Sequence, residues 1–539
     1  MNASYINYQE TQDFSPTTLR YLEQDPQLSA LLSHWPTLEG FSELLRNKSV
    51  SVDRILLADV LKEQYPRCIH FDQNDQKVQE NIELLNLEDT FTITTGHQLN
   101  LFTGPLYFIF KIVTTINLTR ELAIQFPEKN FVPIYWMASE DHDFAEINHT
   151  YIHGKKIVWE QNAHGATGQI DLSTIEQTVK IYTGTLLGIS EHAKELATLI
   201  IDAYTKHNNL ADATRYLVHH LFRKQGLVIL DANHPELKKE FGSIILRDII
   251  EQNSFKAINQ SNQKLNAIGI EAQVNPREIN FFYLSDQLRE RLIFKDHRYQ
   301  VLNTTISFSE QELRTEIQNH PERFSPNVVM RPLYQECILP NIAYVGGGAE
   351  IAYWLQLKQN FNHYRIDFPI LILRNSALII SKKLDAKLKK LDLGVSDIFS
   401  RLGSLQKEWI LRHTTHQLNL NSEWQVFEAI FEKTKTWVSQ IDTTLGPSTE
   451  AVKMRLHKTL QNLEKKLIKA EKRNHNDALL AIKNIKDELF PKGVLQERSE
   501  NFGSFYAKYG EHFIDSLIDS LKPLDFKFTI LREKGQVEQ

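Results

Sequence analysis

The segment from Thr90 to Ala138 constrains the fold of this chain more than any other. Thr90–Phe91–Thr92–Ile93–Thr94–Thr95 is a β-branched run that reads as a buried strand. It stops at Gly96, and a loop runs on to Gly104–Pro105. Leu106 through Leu122 then reads as a largely buried helix, with Pro105 suited to its first turn. A second apolar strand follows at Phe131–Ala138. Strand, loop, helix and strand at this spacing make a βαβ unit, whose right-handed crossover requires a parallel sheet. The same texture returns as a strand at Gly226–Asp231 before a helix from Pro235 to about Ile250. It returns again as a helix at Ala349–Asn360 leading into a strand at Phe368–Leu373. The expected fold class is therefore α/β, with a doubly wound parallel sheet.

The remainder of the chain divides around that sheet. Residues 1–89 read as a helical segment packed on the core, with polar turns near Pro26, Pro36 and Pro66. The core spans 90–375, with less regular insertions at about 150–225 and 252–330. Beyond Arg374, Trp424, Phe427, Phe431, Thr434, Val438, Ile441 and Leu445 recur at alternating steps of three and four, a coiled-coil seam. Gly446–Pro447–Ser448 is expected to break that helix. A second seam then runs from Leu456 through Leu467 and on to Leu489, with a stutter around Asn474. So short a break favours an antiparallel hairpin within 376–500 over its rival, a coiled coil that pairs two copies in a homodimer. Residues 501–539 are expected to return to the core.

Composition narrows the function. A formal charge of −6, with no basic strip interleaved with aromatics, argues against a general nucleic-acid or membrane-surface binder. Met1–Pro16 lacks the features of a signal peptide, and no apolar run is long enough to span a bilayer, so a cytoplasmic location is expected. The two cysteines, Cys68 and Cys337, lie far apart and outside any motif. They read as buried structural thiols, and no zinc site is expected.

Chemistry concentrates in three places. In the loop from Thr94 to Pro105, Gly96 and Gly104 allow close backbone approach, and His97, Gln98 and Thr103 offer side-chain donors. At the carboxyl end of a strand and the start of a helix, such a loop suits a phosphate, or else is a tight turn that caps the helix. In Ser139–His149, Asp141, His142, Asp143, Glu146 and Asn148 crowd directly behind the second strand. Carboxylates and imidazole together can bind Mg²⁺ on a nucleotide, hold an amine or move protons, the plainer alternative being a solvated turn. If that segment is helical, His142 and Glu146 share a face. Third, Gly346–Gly347–Gly348 opens a helix and presents bare amides at its positive end. Glu350 there complements the helix dipole, and Tyr344 and Tyr353 either stack on a ligand or fill the core.

These stretches resemble a known family. Thr95–Gly96–x–Gln98, Leu101–Phe102–Thr103–Gly104–Pro105–x–Tyr107 and Glu140–Asp141–His142–Asp143–Phe144–x–Glu146–Ile147–Asn148 are similar to motifs of the cysteine-adding ligases of bacillithiol biosynthesis. So are Arg277–Glu278–Ile279–Asn280, Arg331–Pro332–Leu333, Tyr344–Val345–Gly346–Gly347, Glu350–Ile351–Ala352–Tyr353–Trp354 and Lys469–Ala470–Glu471–Lys472–Arg473. The chain departs from the pattern at His97, Asn100 and Gly348–Ala349. The resemblance implies a Rossmann-like core akin to class I nucleotidyltransferases, helical connecting segments and a coiled-coil domain. It implies a ligase that adds L-cysteine to glucosaminyl-malate, with ATP and Mg²⁺ activating the cysteine. Gly96, His97, Gln98, Thr103 and Gly104 would then contact phosphate or carboxylate, and Asp141, His142 and Asp143 would position the amine or act as base. Gly346, Gly347 and Glu350 would close the nucleotide side. The alternative is a non-catalytic scaffold that senses a nucleotide-like ligand and docks a partner through the coiled coil.

Overall fold

The computed structural model describes residues 1–48, 52–188 and 190–534. Five strands form its central sheet: β1 (Thr90–His97), β2 (Asn130–Met137), β3 (Val228–Asp231), β4 (Asn341–Gly346) and β5 (Ile370–Leu373). Their spatial order is β5–β4–β1–β2–β3, and every neighbouring pair is parallel. The expected doubly wound sheet is present. Because β1 is followed on one side by β2 and β3 and on the other by β4, the chain reverses its direction of travel between β1 and β4. Ligands of open α/β sheets bind outside the carboxyl ends of the strands at such a switch point. Register levels those ends, since His97 pairs with Met137 and Met137 pairs with Asp231.

The crossover from β1 to β2 is helix α1 (Tyr107–Gln125), buried throughout from Phe108 to Thr119. One face of the sheet carries Phe91, Ile93, Ile342, Val345, Ile370 and Ile372 against Phe41, Leu44 and Leu118. Register puts Tyr135 on that same face, where Phe108 and Ile112 of α1 pack with it and with helices of the 176–222 insertion, and puts Val132, Ile134, Val228 and Leu230, all buried, on the other. These strands are apolar on both faces because both faces are covered.

The structure corrects several boundaries. Asn2–Asn7 is a strand rather than part of a helical segment, in a sheet of order Asn2–Asn7, Lys527–Arg532, Ala377–Ile380. Its partner lies at the far end of the chain, so local sequence carries no sign of it. The 252–330 insertion holds a five-stranded sheet: Ser307–Phe308, Arg298–Val301, Leu288–Lys295, Phe281–Ser285 and Phe324–Pro326, in that spatial order. The helix expected over Ala349–Asn360 is split into Gly348–Trp354 and Lys358–Tyr364. Of the terminal segment expected to return to the core, 535–539 lie outside the described residues.

By internal contacts the chain forms two units, the second built chiefly on 380–493. There Asn421–Ile441 and Leu445–Asn474 run antiparallel. Lys435 pairs with Glu450 at 2.9 Å, Lys453 with Glu432 at 2.7 Å, and the Trp424 and His457 rings lie 4.2 Å apart. Gly446–Pro447–Ser448 does not break a helix. The turn comes earlier, where Asp442 Oδ1 accepts from the Thr444 N–H and hydroxyl. Pro447 sits in the first turn of the next helix, where no N–H is needed. At the stutter the helix ends at Asn474, and a new one starts at Asn476.

Candidate active site

The crevice between β1 and β4 is organised by one buried ion pair. Lys111 reaches from α1, donates to the Gly96 carbonyl at 2.9 Å and meets Glu350 Oε2 at 2.5 Å, its side chain only 4% exposed. Glu350 also accepts from the Gly347 N–H (2.8 Å) and the Tyr344 hydroxyl (2.6 Å), and Tyr344 stacks on Trp354. Burial pushes the Glu350 carboxyl up, but the Lys111 charge and these donors outweigh it and hold it below its ordinary value. Gly346 must lack a side chain, because a Cβ would lie 2.9 Å from Glu350 Cβ and 3.0 Å from the Tyr344 ring. Arg374 donates its backbone N–H to the Gly346 carbonyl and pairs with Glu497 at 2.8 Å.

The loop after β1 has two parts. Gln98 turns toward the acid cluster, and its Nε2 donates to Asp141 Oδ2 (2.7 Å) and Glu146 Oε2 (2.9 Å). From Asn100 onward the loop serves architecture. Phe102, Thr103 and Gly104 all adopt positive φ, and a Cβ on Gly104 would lie 2.6 Å from Asn100 Cβ. Asn501 Nδ2 donates to the carbonyls of Phe102 (2.8 Å) and Gly104 (2.7 Å), and the Leu106 N–H donates to the Glu500 carbonyl. His97 turns inward, packed against Tyr107 and Phe108, with Nε2 buried and unpartnered. Burial, reinforced by the Lys111 charge, pulls its pKa down to about 3, so the imidazole is neutral.

A cavity of about 500 Å³ opens beside this crevice. Its floor is the carboxyl end of β2, from Trp136 to His142, with Ala232 and Asn233 after β3. Its far wall is the insertion sheet, carrying Phe282, Arg289 and Arg291, and Arg277 and Arg331 complete it. The Ser139–Asp141 turn is pinned from behind, because the N–H groups of Thr167 and Gly168 donate to the carbonyls of Asp141 and Ser139. Glu140 pairs with buried Lys238 at 2.6 Å. Burial acts to raise the Asp141 pKa, but hydrogen bonds from His142 and Gln98 and the Arg289 charge hold the carboxyl well below the usual range. Arg289 Nη1 lies 2.6 Å from His142 Nδ1, which makes that nitrogen an acceptor. Among the described residues, no group of three or more His, Cys, Asp or Glu side chains is placed to hold a metal ion. Nor is any described helix long and apolar enough to cross a membrane.

The model described as "Bacillithiol biosynthesis BshC, N-terminal Rossmann-like domain" matches residues 1–375, and its companion, "Bacillithiol biosynthesis BshC, C-terminal coiled-coil domain", matches 377–533. The chain belongs to the bacillithiol biosynthesis BshC family. A Flavobacterium johnsoniae protein named "Putative cysteine ligase BshC" is 44% identical over 98% of this chain and 100% of its own length. Proteins of the same name are similar from Cytophaga hutchinsonii, at 39% identity over 97% of each chain, and from Bacillus cereus, at 28% over 84% of this chain and 86% of its own.

On this BshC framework the residues singled out in sequence fall into three groups. Gly96, Gln98, Tyr344, Gly346, Gly347 and Glu350 meet at the switch point or border it. Asp141 and His142 line the neighbouring cavity, joined to the first group through Gln98. Glu146 is held on the same Gln98 amide, and the others stand apart. Thr103 is buried with no partner on its hydroxyl, and Gly104 is a turn residue. Asp143 caps the short helix Phe144–Ile147, accepting from the Glu146 N–H, so His142 precedes that helix and shares no face with Glu146. Asn148 Oδ1 contacts His149, and Tyr353 is half-buried with its hydroxyl pushed up to about 12 by burial. Sequence reading missed Lys111, a lysine inside an apolar helix, and it missed the four cavity arginines. Arg289 and Arg291 lie two residues apart on one strand and so share a face, a period of two that was readable. Arg277 and Arg331 stood in motifs already quoted but carried no assigned role.

Proposed function

We propose that this chain is a cysteine ligase that forms an amide between the carboxyl group of L-cysteine and the amine of glucosaminyl-malate, the step that completes bacillithiol. The observation that carries this reading is the acid–imidazole cluster beside the glycine-bearing ends of β1 and β4, with Gln98, next after β1, donating to Asp141 and Glu146. The relatives' name as cysteine ligases supports it from a separate direction. Gly96 and Gly347 keep side chains off the backbone at the ends of β1 and β4, which lets the phosphates of ATP approach the switch point closely. ATP with Mg²⁺ supplies a leaving group for the cysteine carboxylate. This chain's residues orient and exclude water. Asp141, held ionised, attracts the acceptor's ammonium and fixes its approach, while His142, whose Nδ1 accepts from Arg289, presents Nε2–H as a donor to an oxygen of the cysteine acyl group.

Incubation of the purified chain with ATP, Mg²⁺, cysteine and glucosaminyl-malate is expected to yield bacillithiol by mass spectrometry, with stoichiometric ATP cleavage. Asp141→Asn is expected to lower kcat/KM by about a hundredfold or more while the protein stays folded. Absence of product from every combination of these substrates would refute the reading. An Asp141→Asn variant that restores thiol production in cells as well as the parent would favour a scaffold.

A further inference from the structure

We infer that the cavity walled by Arg277, Arg289, Arg291 and Arg331 binds the acidic end of the acceptor through two carboxylates. This inference rests on the ligase reading above for the identity of the acceptor, and on the cavity itself for the chemistry.

The cavity is cationic once its internal pairs are counted. Its two carboxylates are already engaged, Glu140 by Lys238 and Asp141 by Gln98 and the His142 N–H. Arg289 is committed as well. Its side chain is 7% exposed, packed over the Phe282 ring at 4.0 Å, with contacts to Ser325 and His142. Arg331 is half committed: it lies over the Trp136 and Tyr344 rings, gives Nη1 to Gln335, and leaves Nη2 buried with no partner. For the Arg277 and Arg291 side chains, the described residues supply neither a hydrogen bond nor an ion pair. An unpartnered buried guanidinium nitrogen is costly. A wall with that vacancy and two further free guanidinium groups is built to meet an anion.

The form of the wall selects carboxylates over a nucleotide's phosphates. No glycine lines the cavity, so it lacks the bare-amide cradle that holds phosphate chains. Guanidinium forks match the two oxygens of a carboxylate in one plane. Between the arginines the wall is apolar, with Trp136, Ile279, Phe281 and Val328, which suits the carbon skeleton joining two carboxylates. The volume falls within the range of small-molecule sites, roughly 300–1,000 Å³. With its acid end on Arg277, Arg291 and Arg331, a ligand of this size extends its other end toward Asp141 and His142, where the amine is needed.

L-malate alone serves as the probe, titrated calorimetrically into the full-length protein. Malate is expected to bind, lactate with its single carboxylate to bind about tenfold more weakly or less, and Arg291→Gln to cost malate about tenfold. ATP and inorganic phosphate should not displace it. In the ligation assay, Arg291→Gln and Arg331→Gln should raise KM for glucosaminyl-malate by a similar factor and leave KM for ATP and cysteine within about twofold. Equal malate affinity in parent and Arg291→Gln overturns the inference, as does displacement by phosphate or a KM rise confined to ATP. If malate binds in an arginine-dependent way but no ligation is seen, the ligase reading fails and the cavity assignment stands. If ligation proceeds and the arginine variants leave the acceptor KM unchanged, the cavity assignment alone fails. Since Arg331 is packed between rings, the half-buried Arg291 carries the decisive comparison, with circular dichroism confirming its fold.

Discussion

The switch-point crevice and the arginine-walled cavity lie side by side at the carboxyl edge of one sheet and handle charge in opposite ways. In the crevice each buried charge has its counter-charge within the protein: Lys111 with Glu350, Arg374 with Glu497. In the cavity the carboxylates are spent and guanidinium groups remain. Charge that the chain neutralises itself fixes geometry, and charge left open awaits a ligand. Removing a partner should therefore damage stability in the first region and binding in the second.

The largest expected effect is on stability. Lys111→Met leaves Glu350 uncompensated beside the Gly347 amide and should cost about 3–5 kcal/mol in denaturant unfolding. A loss below about 1 kcal/mol would break the contrast, because the crevice pair would then not be structural. Next comes a buried acid held without a tight cation. Glu336, in the helix Arg331–Ile338 that precedes β4, accepts from Gln335 and Asn341, and burial raises its pKa to about 7. The folded chain thus keeps a proton that the unfolded chain releases near the ordinary 4.5. Stability contributed by this group is full below that value, falls as pH rises from there to about 7, and is flat above, a loss of about 3 kcal/mol. Glu336→Gln should flatten that segment of the stability–pH profile, and an unchanged slope would assign it to another group. Gln98→Leu removes both donors that tie the β1 loop to the acid cluster. It should cost about 1–2 kcal/mol and raise the Asp141 pKa, read by carboxyl NMR titration. Smallest of all, Arg291→Gln should change unfolding free energy by under about 0.5 kcal/mol, since no internal pair is lost.

What could be read in the sequence follows the same division between local and distant causes. The βαβ unit from Thr90 to Met137 was legible because apolar strands and a buried helix announce themselves within a few residues. The glycines at 96, 346 and 347 were legible because bare backbone at strand ends has few other uses. The strand order was not, since β4 joins β1 only through a pairing some 250 residues away in the chain, as Thr95 Oγ1 to the Val345 carbonyl shows. Thr103 looked like a donor by type and position. Positive φ at Phe102 and Thr103, unusual for such residues, turns the loop so that its hydroxyl faces inward. Arg289 and Arg291 belong to an antiparallel insertion with weak patterning, and only the fold brings them opposite Asp141.

The clamp on the β1 loop has a consequence for the chain's birth. Asn501 and Glu500 fasten Phe102, Gly104 and Leu106 across some 400 residues. A ribosome will have delivered every strand of the central sheet before that fastening can form, so the emerging polypeptide passes through a long stage with its fold largely drawn and its first loop still loose. Competence waits on Glu500 and Asn501, and a chain cut short before them would leave a sheet without a finished mouth.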